Sequence, residues 1–431
     1  MNKNAICIQT HNCDHPGYCF FVLFFFFKKK SPLSVLASIY LILLIGITLF
    51  SIGREVYASY HQPPKWDFLC FWLDGKVALT GGNFYDVKNY QAMPLPYDPG
   101  DEFRKEIIDV GFKYPPFTML LLLPLGLFTI SKAYILWQIL NLLLCAACIY
   151  GLWSLFLKDH GILSLLLVAV LMLRLEPSRS TFSFAQTNFL TLLFFLLFWK
   201  NRSKEWGGIW LALCVVVKPY MAFLYIYPLL TRKWKLLAIA ILTLLVLTFL
   251  SVLVFGTDVF VSFINNPIPK APIWNYTETT NQSLLATILR STPSQIIKES
   301  PILNPLYLGI SLLLTLITAW VTIKKNNNHD WVVLSILFLA LIVYPGNQFF
   351  YSTFLIVPVV LLLQHSGRIV NERAAIFFII LTTYFLSGSV RYVFYANLFM
   401  WLVCIVLAVK LNLDTYIHSI GNSKSTVLKF I

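Results

Sequence analysis

Charged residues are scarce in this sequence. Asp, Glu, Lys and Arg together make up 12% of the 431 residues, whereas hydrophobic residues make up 58%. Soluble globular domains carry about 25% charged residues. The shortage of charge excludes an ordinary soluble domain, and the abundance of hydrophobic residues indicates a polytopic membrane protein.

Clustered metal-ligating residues are also lacking. The eight cysteines are scattered along the chain, so they define no disulfide framework. The N-terminal stretch HNCDHPGYC (residues 11–19) contains His and Cys, but its spacing matches no standard zinc site. We therefore predict no metal and no cofactor.

What the sequence has in quantity is long apolar runs. A straight transmembrane helix needs roughly 17 to 25 mainly apolar residues. Five runs satisfy this length or come close to it, namely 34–52, 133–157, 235–255, 303–323 and 394–411. Seven shorter runs fit tilted or broken spans, namely 161–173, 184–199, 207–217, 219–230, 331–345, 348–363 and 374–388. We predict an all-α fold with about 12 transmembrane or half-spanning helices.

The net charge of +14 does not indicate nucleic-acid binding, because the basic residues form short clusters between apolar runs. Such clusters mark cytoplasmic loops. They are KKK at 28–30, KNRSK at 200–204, TRKWK at 231–235 and KK at 324–325. Placing them inside gives 18 Lys/Arg and 6 Asp/Glu in the cytoplasm, against 15 and 13 outside. Both termini are then cytoplasmic.

This topology divides the chain into three parts. Residues 1–32 form a cytoplasmic leader, residues 33–411 a single transmembrane domain, and residues 412–431 a cytoplasmic tail. The outer loops are 53–116 and 256–302. The apolar run at 117–130 is best accommodated as a helix at the outer face, opened by Tyr114, Pro115 and Pro116, since counting it as a crossing would place KNRSK outside.

Most polar residues at the ends of spans fall on the outer side of this topology. Polar groups at membrane depth cost several kcal/mol unless they are partnered or line a cavity. Their convergence predicts a cavity that opens outward.

Six motifs on this side carry a resemblance. They are WDF followed by GGNFYD, FKYPPFTMLLLLPLGLF, AQTNFLTLL, VVKPYMAFLYIYPLLTRKWK, NQSLLATILR and VYPGNQFFYSTFLIVP. In this order and spacing, the chain from about residue 34 to 411 resembles glycosyltransferase family 87. The resemblance implies the GT-C architecture and an inverting transfer of a hexose, typically mannose, from a polyprenyl-phosphate donor.

The resemblance implies that Asp67 is the catalytic base, because similar GT-C proteins keep an acid just after the first span. A positioned carboxylate that takes a hydroxyl proton contributes about 10² to 10⁴ in rate. A salt bridge to Lys65 or a helix cap is the alternative for Asp67. Asp74 is a rival that could instead be solvated or ion-paired, and Asp86 follows a Gly-Gly turn where Asp commonly bonds its own backbone.

Two cations are candidates for the donor phosphate. Lys218 lies between two half-length apolar runs, where a lysine suits an anionic headgroup or simply snorkels to the interface. Arg290 offers a bidentate fork for phosphate, and contact with ordinary anionic lipid is its alternative.

The substrate-binding candidates are amides and aromatic residues on the outer side: Gln186, Asn188, Asn281, Gln348, Tyr351 and Trp72. Amides bind sugar hydroxyls but also tie helices together, and boundary aromatics commonly form interface belts. The family usually has Gly where this chain has Ala185.

The predicted partners are a polyprenyl-phosphate sugar, a glycan or glycolipid acceptor and membrane lipids, in the bacterial inner (plasma) membrane. A divalent cation, which some GT-C enzymes use, is not predicted here. A flippase or transporter of lipid-linked saccharides would need midplane charges and usually an inverted repeat, and neither is clear. A polymerase or ligase would typically need a long outer loop with several arginines.

Overall fold

The computed structural model describes residues 32–61, 66–95, 112, 114–265, 278–291, 304–324, 329–365 and 370–427. Regular structure in these ranges is helical, apart from one isolated antiparallel bridge between Asn281 and Gln348. The predicted all-α fold is therefore confirmed. The predicted leader, except for Pro32, and parts of both outer loops lie outside the described residues.

The described α-helices are numbered here in chain order. They are α1 (Pro32–His61), α2 (Trp66–Leu79), α3 (Val87–Gln91), α4 (Pro116–Leu122), α5 (Ile130–Phe156), α6 (Ile162–Arg174), α7 (Glu176–Ser183), α8 (Asn188–Asn201), α9 (Gly207–Val217), α10 (Ile226–Leu230), α11 (Trp234–Phe255), α12 (Thr257–Asn265), α13 (Leu284–Ser291), α14 (Pro305–Lys324), α15 (His329–Val343), α16 (Ile356–His365), α17 (Val370–Ser387) and α18 (Val393–Val427). Short 3₁₀ helices cover Leu123–Leu127, Lys158–His160, Pro219–Tyr225, Phe349–Leu355 and Val390–Tyr392.

Each of the twelve predicted apolar runs contains a helix. Four helical segments are long and apolar enough to cross a bilayer, at Ile130–Phe156, Trp234–Phe255, Pro305–Lys324 and Val390–Lys410. The other apolar helices are shorter, and their length alone does not say which of them cross. The chain is thus a multi-pass helical protein, while the count of about 12 stays a prediction. Helix α18 continues through Val427, so most of the predicted tail is helical.

Two helices show where the protein interior and the lipid lie. Every residue of α15 from Trp331 to Val343 is buried, which is expected of a helix that is apolar on all sides and enclosed by protein. In contrast, α11 exposes Leu245, Phe249 and Leu253. Because these side chains are apolar, this face of α11 suits contact with lipid.

Two breaks in the helices have the same local structure. Lys218 and Gln348 each have an extended backbone, and each precedes a seven-residue 3₁₀ helix that continues into a short α-helix. Proline at residue 219 cannot continue the hydrogen bonding of α9. Such breaks expose backbone groups, which are tolerated at membrane depth where the chain is buried in protein or lines a cavity.

The predicted helix over 117–130 consists of α4 and the 3₁₀ turn that follows it. Helix α4 begins at Pro116, where the missing amide hydrogen leaves no unpaired donor. The turn packs on α2 so closely that a Cβ on Gly126 would lie 2.5 Å from the backbone of Gly75. This contact fixes α2, and with it Asp67, against the turn that follows α4. The location of α4 and this turn at the outer membrane face stays a prediction.

Candidate functional site

Asp67 lies in the first turn of α2 and is partly exposed. Its Oδ2 accepts a hydrogen bond of 2.8 Å from Nε2 of Gln186. The two residues are 119 positions apart in the chain. The fold therefore brings the predicted base against one of the predicted amides.

Gln186 also contacts the predicted phosphate-binding cation. Its Oε1 accepts a hydrogen bond of 3.1 Å from Nζ of Lys218. The Lys218 side chain is buried, with 1% of the residue exposed, so it is not snorkelling to solvent. Asp67, Gln186 and Lys218 are called the acid–amide–lysine chain below.

A tyrosine cluster encloses the lysine end of this chain. Nζ of Lys218 lies 4.2 Å from the ring centroid of Tyr351, a distance at which the ring face attracts a cation. The ring of Tyr220 stacks on the ring of Tyr351 with 5.2 Å between centroids, and Tyr114 lies close enough to Tyr351 to interact with it. Burial, followed by the nearby Tyr344 and then Asp67, raises the pKa of Tyr114.

A turn before α8 presents Gln186. Ala185 has a φ of +51°, in the left-handed region that favours glycine. The Gly that the family resemblance implies at this place would adopt the same conformation readily. The Ala185 carbonyl accepts a hydrogen bond of 2.7 Å from Nε1 of Trp137. The backbone N–H of Gln186 donates to the carbonyl of Thr181 at 2.9 Å.

A second polar assembly joins the chain around Asn281 to the chain around Gln348, and it is called the 281–348 bridge below. The amide of Gln282 donates to the carbonyl of Asn347 at 2.7 Å, and the amide of Phe349 donates to the carbonyl of Thr280 at 2.9 Å. These bonds hold the segment that leads into Tyr351.

Arg290 belongs to this bridge. Its Nη1 donates to the carbonyls of Glu278 and Asn281 at 2.7 and 2.6 Å. Burial of the guanidinium lowers its pKa, and Tyr395 partly counteracts this. The described contacts of Arg290 thus support the backbone of the bridge, and its role toward phosphate stays a prediction.

Two of the predicted substrate amides also hold backbone. Asn188 is buried and donates to the carbonyl of Phe350 at 2.9 Å and to Oγ1 of Thr181 at 3.0 Å. Asn281 donates to the carbonyl of Pro345 at 2.9 Å. Both contacts fit the alternative expected from the sequence, in which amides tie helices and loops together.

The rivals of Asp67 have other partners. Asp86 accepts a 3.0 Å hydrogen bond from the amide of Lys88 and caps α3, which confirms its structural interpretation. Asp74 is buried and accepts a 2.8 Å bond from Tyr90. Of the two alternatives expected for it, solvated or ion-paired, the solvated one was therefore wrong. Burial, and then Asp74, raises the pKa of Tyr90.

A narrow, mainly apolar groove with a free volume of about 10 Å³ lies beside the acid–amide–lysine chain. Its lining includes Phe71, Trp137 and Leu190. Thr187 and Val217, the chain neighbours of Gln186 and Lys218, line it too. The predicted Trp72 is not in this lining: its ring is buried and Nε1 donates to the carbonyl of Phe128 at 3.0 Å.

Sequence reasoning missed several residues of the site. Trp137 and Tyr220 lie inside apolar stretches, where an aromatic residue looks like ordinary core. Tyr114 was assigned only to the start of the outer helix.

Within the described ranges there is no group of three or more His, Cys, Asp or Glu that could hold a metal.

Comparison with known proteins identifies the class. Residues 112–345 match the profile of glycosyltransferase family 87, which is more than half of the chain. The protein therefore belongs to glycosyltransferase family 87. The matched segment contains Gln186, Lys218 and Arg290, whereas Asp67 precedes it. No solved structure matches the chain, so the GT-C architecture stays a prediction.

Two curated relatives come from Mycobacterium tuberculosis. A polyprenol-phosphate-mannose-dependent alpha-(1-2)-phosphatidylinositol pentamannoside mannosyltransferase is 26% identical over 197 residues, which are 42% of this chain and 44% of that protein. An alpha-(1→3)-arabinofuranosyltransferase is 28% identical over 178 residues, 38% of this chain and 40% of that protein. The chain thus spans less than half the length of the relatives it matches.

Proposed function

We propose that this protein transfers a hexose, mannose in the first instance, from a polyprenyl-phosphate sugar to a glycan or glycolipid acceptor. The reaction takes place on the extracytoplasmic face of the bacterial inner membrane. Family membership and the name of the mannosyltransferase relative support the reaction class. The observation that carries the proposal is the acid–amide–lysine chain beside an apolar groove.

The chemistry is a single inverting displacement. The Asp67 carboxylate takes the proton of an acceptor hydroxyl while the hydroxyl oxygen attacks the anomeric carbon. The bond between that carbon and the phosphate oxygen breaks, and polyprenyl phosphate leaves. Negative charge on the leaving phosphate develops where Lys218 can stabilise it, which is an effective way to lower such a barrier.

The apolar groove is too narrow to hold isoprene units unless its side chains move apart, since its free volume is about 10 Å³. Its lining by Phe71, Trp137, Leu190 and Val217 is apolar, as expected of a surface for a hydrocarbon chain. The first isoprene units of the donor are proposed to pack along this lining, which would bring the phosphate toward Lys218 from the side. Arg290 is proposed as a second phosphate contact. Contacts of the sugar or acceptor are proposed because amides bond sugar hydroxyls and aromatic rings suit the apolar faces of sugars, namely with Asn188, Asn281, Gln348, Tyr351 and Trp72.

A pentofuranose donor is the second candidate. The arabinofuranosyltransferase relative favours it, because its identity to this chain is similar to that of the mannosyltransferase. A pentofuranose carried on a polyprenyl phosphate would be served by the same acid and lysine. Supplying purified protein with each donor in turn, and measuring product with a lipid acceptor extract, separates the two.

The central experiment replaces Asp67 by Asn in reconstituted membranes. We expect sugar transfer to fall by about 10² to 10⁴, the usual contribution of a general base. Asp86→Asn is the matched control, since Asp86 is exposed and caps a short helix. Transfer by Asp67→Asn at the level of the control would rule out the proposed base.

The proposed face is tested separately. Lys88 is exposed on α3, close in sequence to Asp67. A Lys88→Cys variant on a cysteine-depleted background should react with a membrane-impermeant thiol reagent from the periplasmic side of intact spheroplasts. Reaction only after the spheroplasts are opened would place the site on the cytoplasmic face.

A further inference from the structure

The Gln186 side-chain amide lies between the Asp67 carboxylate and the Lys218 ammonium. In the proposed reaction the carboxylate accepts a proton and the ammonium stabilises negative charge. We propose that Gln186 is a positioning residue that holds Asp67 and Lys218 at a fixed separation and prevents them from forming a direct ion pair. This inference rests on the proposed function, in which Asp67 is the base and Lys218 meets the donor phosphate.

The chemistry of the amide matches both partners. An amide nitrogen only donates hydrogen bonds and an amide oxygen only accepts them. Nε2 lies 2.8 Å from the Asp67 carboxylate, and Oε1 lies 3.1 Å from the Lys218 ammonium. If the amide were flipped, its oxygen would face the Asp67 carboxylate, acceptor against acceptor, and its nitrogen would face the Lys218 ammonium, donor against donor. The partners therefore fix its orientation.

The surrounding structure leaves Gln186 little room to move. Only 4% of the residue is exposed. The backbone before it is held in a left-handed turn at Ala185, whose carbonyl bonds Trp137. Because the residue is buried and both amide atoms already have partners, little of the amide is open to a sugar hydroxyl. We therefore assign Gln186 to positioning rather than to sugar contact.

A direct ion pair would weaken both functional groups. An opposite charge within about 4 to 6 Å lowers a carboxyl pKa by about 1 to 3 units, and a carboxylate with a lower pKa is a weaker base. The ammonium would in turn be engaged by Asp67 instead of the phosphate. A neutral amide bonds both groups more weakly than they would bond each other, so each stays available.

Other groups near Asp67 limit how a change at Gln186 can be interpreted. Tyr114 and Tyr351 lie close enough to interact with its charge. Asp74 and Cys70 lie on the same helix and also act on Tyr114. Because none of these is changed by a substitution at Gln186, their effect on Asp67 is the same in every variant.

The test measures the pH dependence of kcat/KM for sugar transfer in two variants. Gln186→Ala removes both hydrogen bonds and the side-chain atoms between the two groups, so the ammonium and the carboxylate can approach each other. We expect the acidic limb to move to lower pH by about one unit or more, with kcat reduced at least about tenfold and the donor KM raised. Gln186→Glu places a like charge beside Asp67, so the acidic limb should move to higher pH.

The Gln186→Ala shift to lower pH is the decisive result, because the loss of a merely structural or sugar-binding amide would not move the acidic limb in that direction. The Gln186→Glu shift shows only that residue 186 lies beside the group that titrates. Gln138→Ala is the matched control: Gln138 is a buried amide on α5 that donates to the carbonyl of Phe182 at 2.8 Å. We expect it to lower thermal stability and to leave the limb in place. If Gln186→Ala fails to fold, Gln186→Ser, which also empties the space between the two groups, takes its place.

The outcomes separate this inference from the proposed function. An acidic limb that does not move to lower pH in Gln186→Ala, with Asp67→Asn inactive, would overturn the positioning role and leave the transferase proposal intact. Undiminished transfer by Asp67→Asn would overturn the proposed function itself, whatever the pH profiles show.

Discussion

The acid–amide–lysine chain and the 281–348 bridge are both polar assemblies, yet they are built differently. In the first, side chains bond side chains, and two of the three carry charge. In the second, amides and a guanidinium mostly bond backbone carbonyls. Buried backbone groups need partners, so the second assembly mainly shapes the chain, while the first holds ionisable groups ready for chemistry.

The largest effect among the remaining predictions is expected at Lys218. Lys218→Met keeps the length of the side chain and removes its charge. We expect sugar transfer to fall by about 10² to 10³, as when one donor to a developing negative charge is lost, together with a higher donor KM. Steady-state kinetics with varied donor measure both.

Lys88→Met is the control, because Lys88 is exposed on α3. A normal donor profile for Lys218→Met would remove Lys218 from the donor site. The acid–amide–lysine chain would then no longer differ from the 281–348 bridge in having a role in the reaction.

A smaller and mixed effect is expected at Arg290. Arg290→Met leaves two backbone carbonyls without a charged donor, and each such bond contributes about 1.5 to 3 kcal/mol. We expect a lower thermal unfolding midpoint and a donor KM raised by no more than about tenfold. Thermal unfolding in detergent and donor kinetics on the same preparation measure the two effects.

Arg290→Lys keeps the charge but not the fork that reaches two acceptors. Stability should therefore fall in this variant as well. If the donor KM stays unchanged in both variants, Arg290 acts only through the 281–348 bridge and does not bind phosphate.

The smallest effect is expected at Ala185. A left-handed conformation costs a non-glycine residue about 1 to 2 kcal/mol, but glycine gains entropy in the unfolded chain and loses a buried methyl group. We expect Ala185→Gly to change stability by no more than about 1 kcal/mol and to keep transfer activity.

Ala185→Val provides the contrast, since a β-branched residue tolerates this conformation poorly. It should lower both the unfolding midpoint and the activity. Equal behaviour of the Gly and Val variants would contradict the role assigned to the turn before Gln186.

The sequence predicted much of this protein, and the reasons are local. Apolar runs located the helices, because hydrophobic length and helix length coincide in membrane proteins. The break at Lys218 lies where two half-length apolar runs meet in the sequence. Asp86 was correctly interpreted as a turn residue. The burial of Asp74 was not predicted: this residue lies in α2 and its bond to Tyr90 spans 16 residues, so its partner depends on how the segment after α2 packs.

The sequence alone determined the class of the protein, its helical segments and the acid and lysine that carry the proposed chemistry. Only the tertiary structure decided that Gln186, 119 residues from Asp67 and 32 from Lys218, stands between them. Local patterns report on neighbours within a few residues. Contacts between distant side chains depend on how helices pack, and here that packing is set by close backbone approaches such as the one between Gly75 and Gly126.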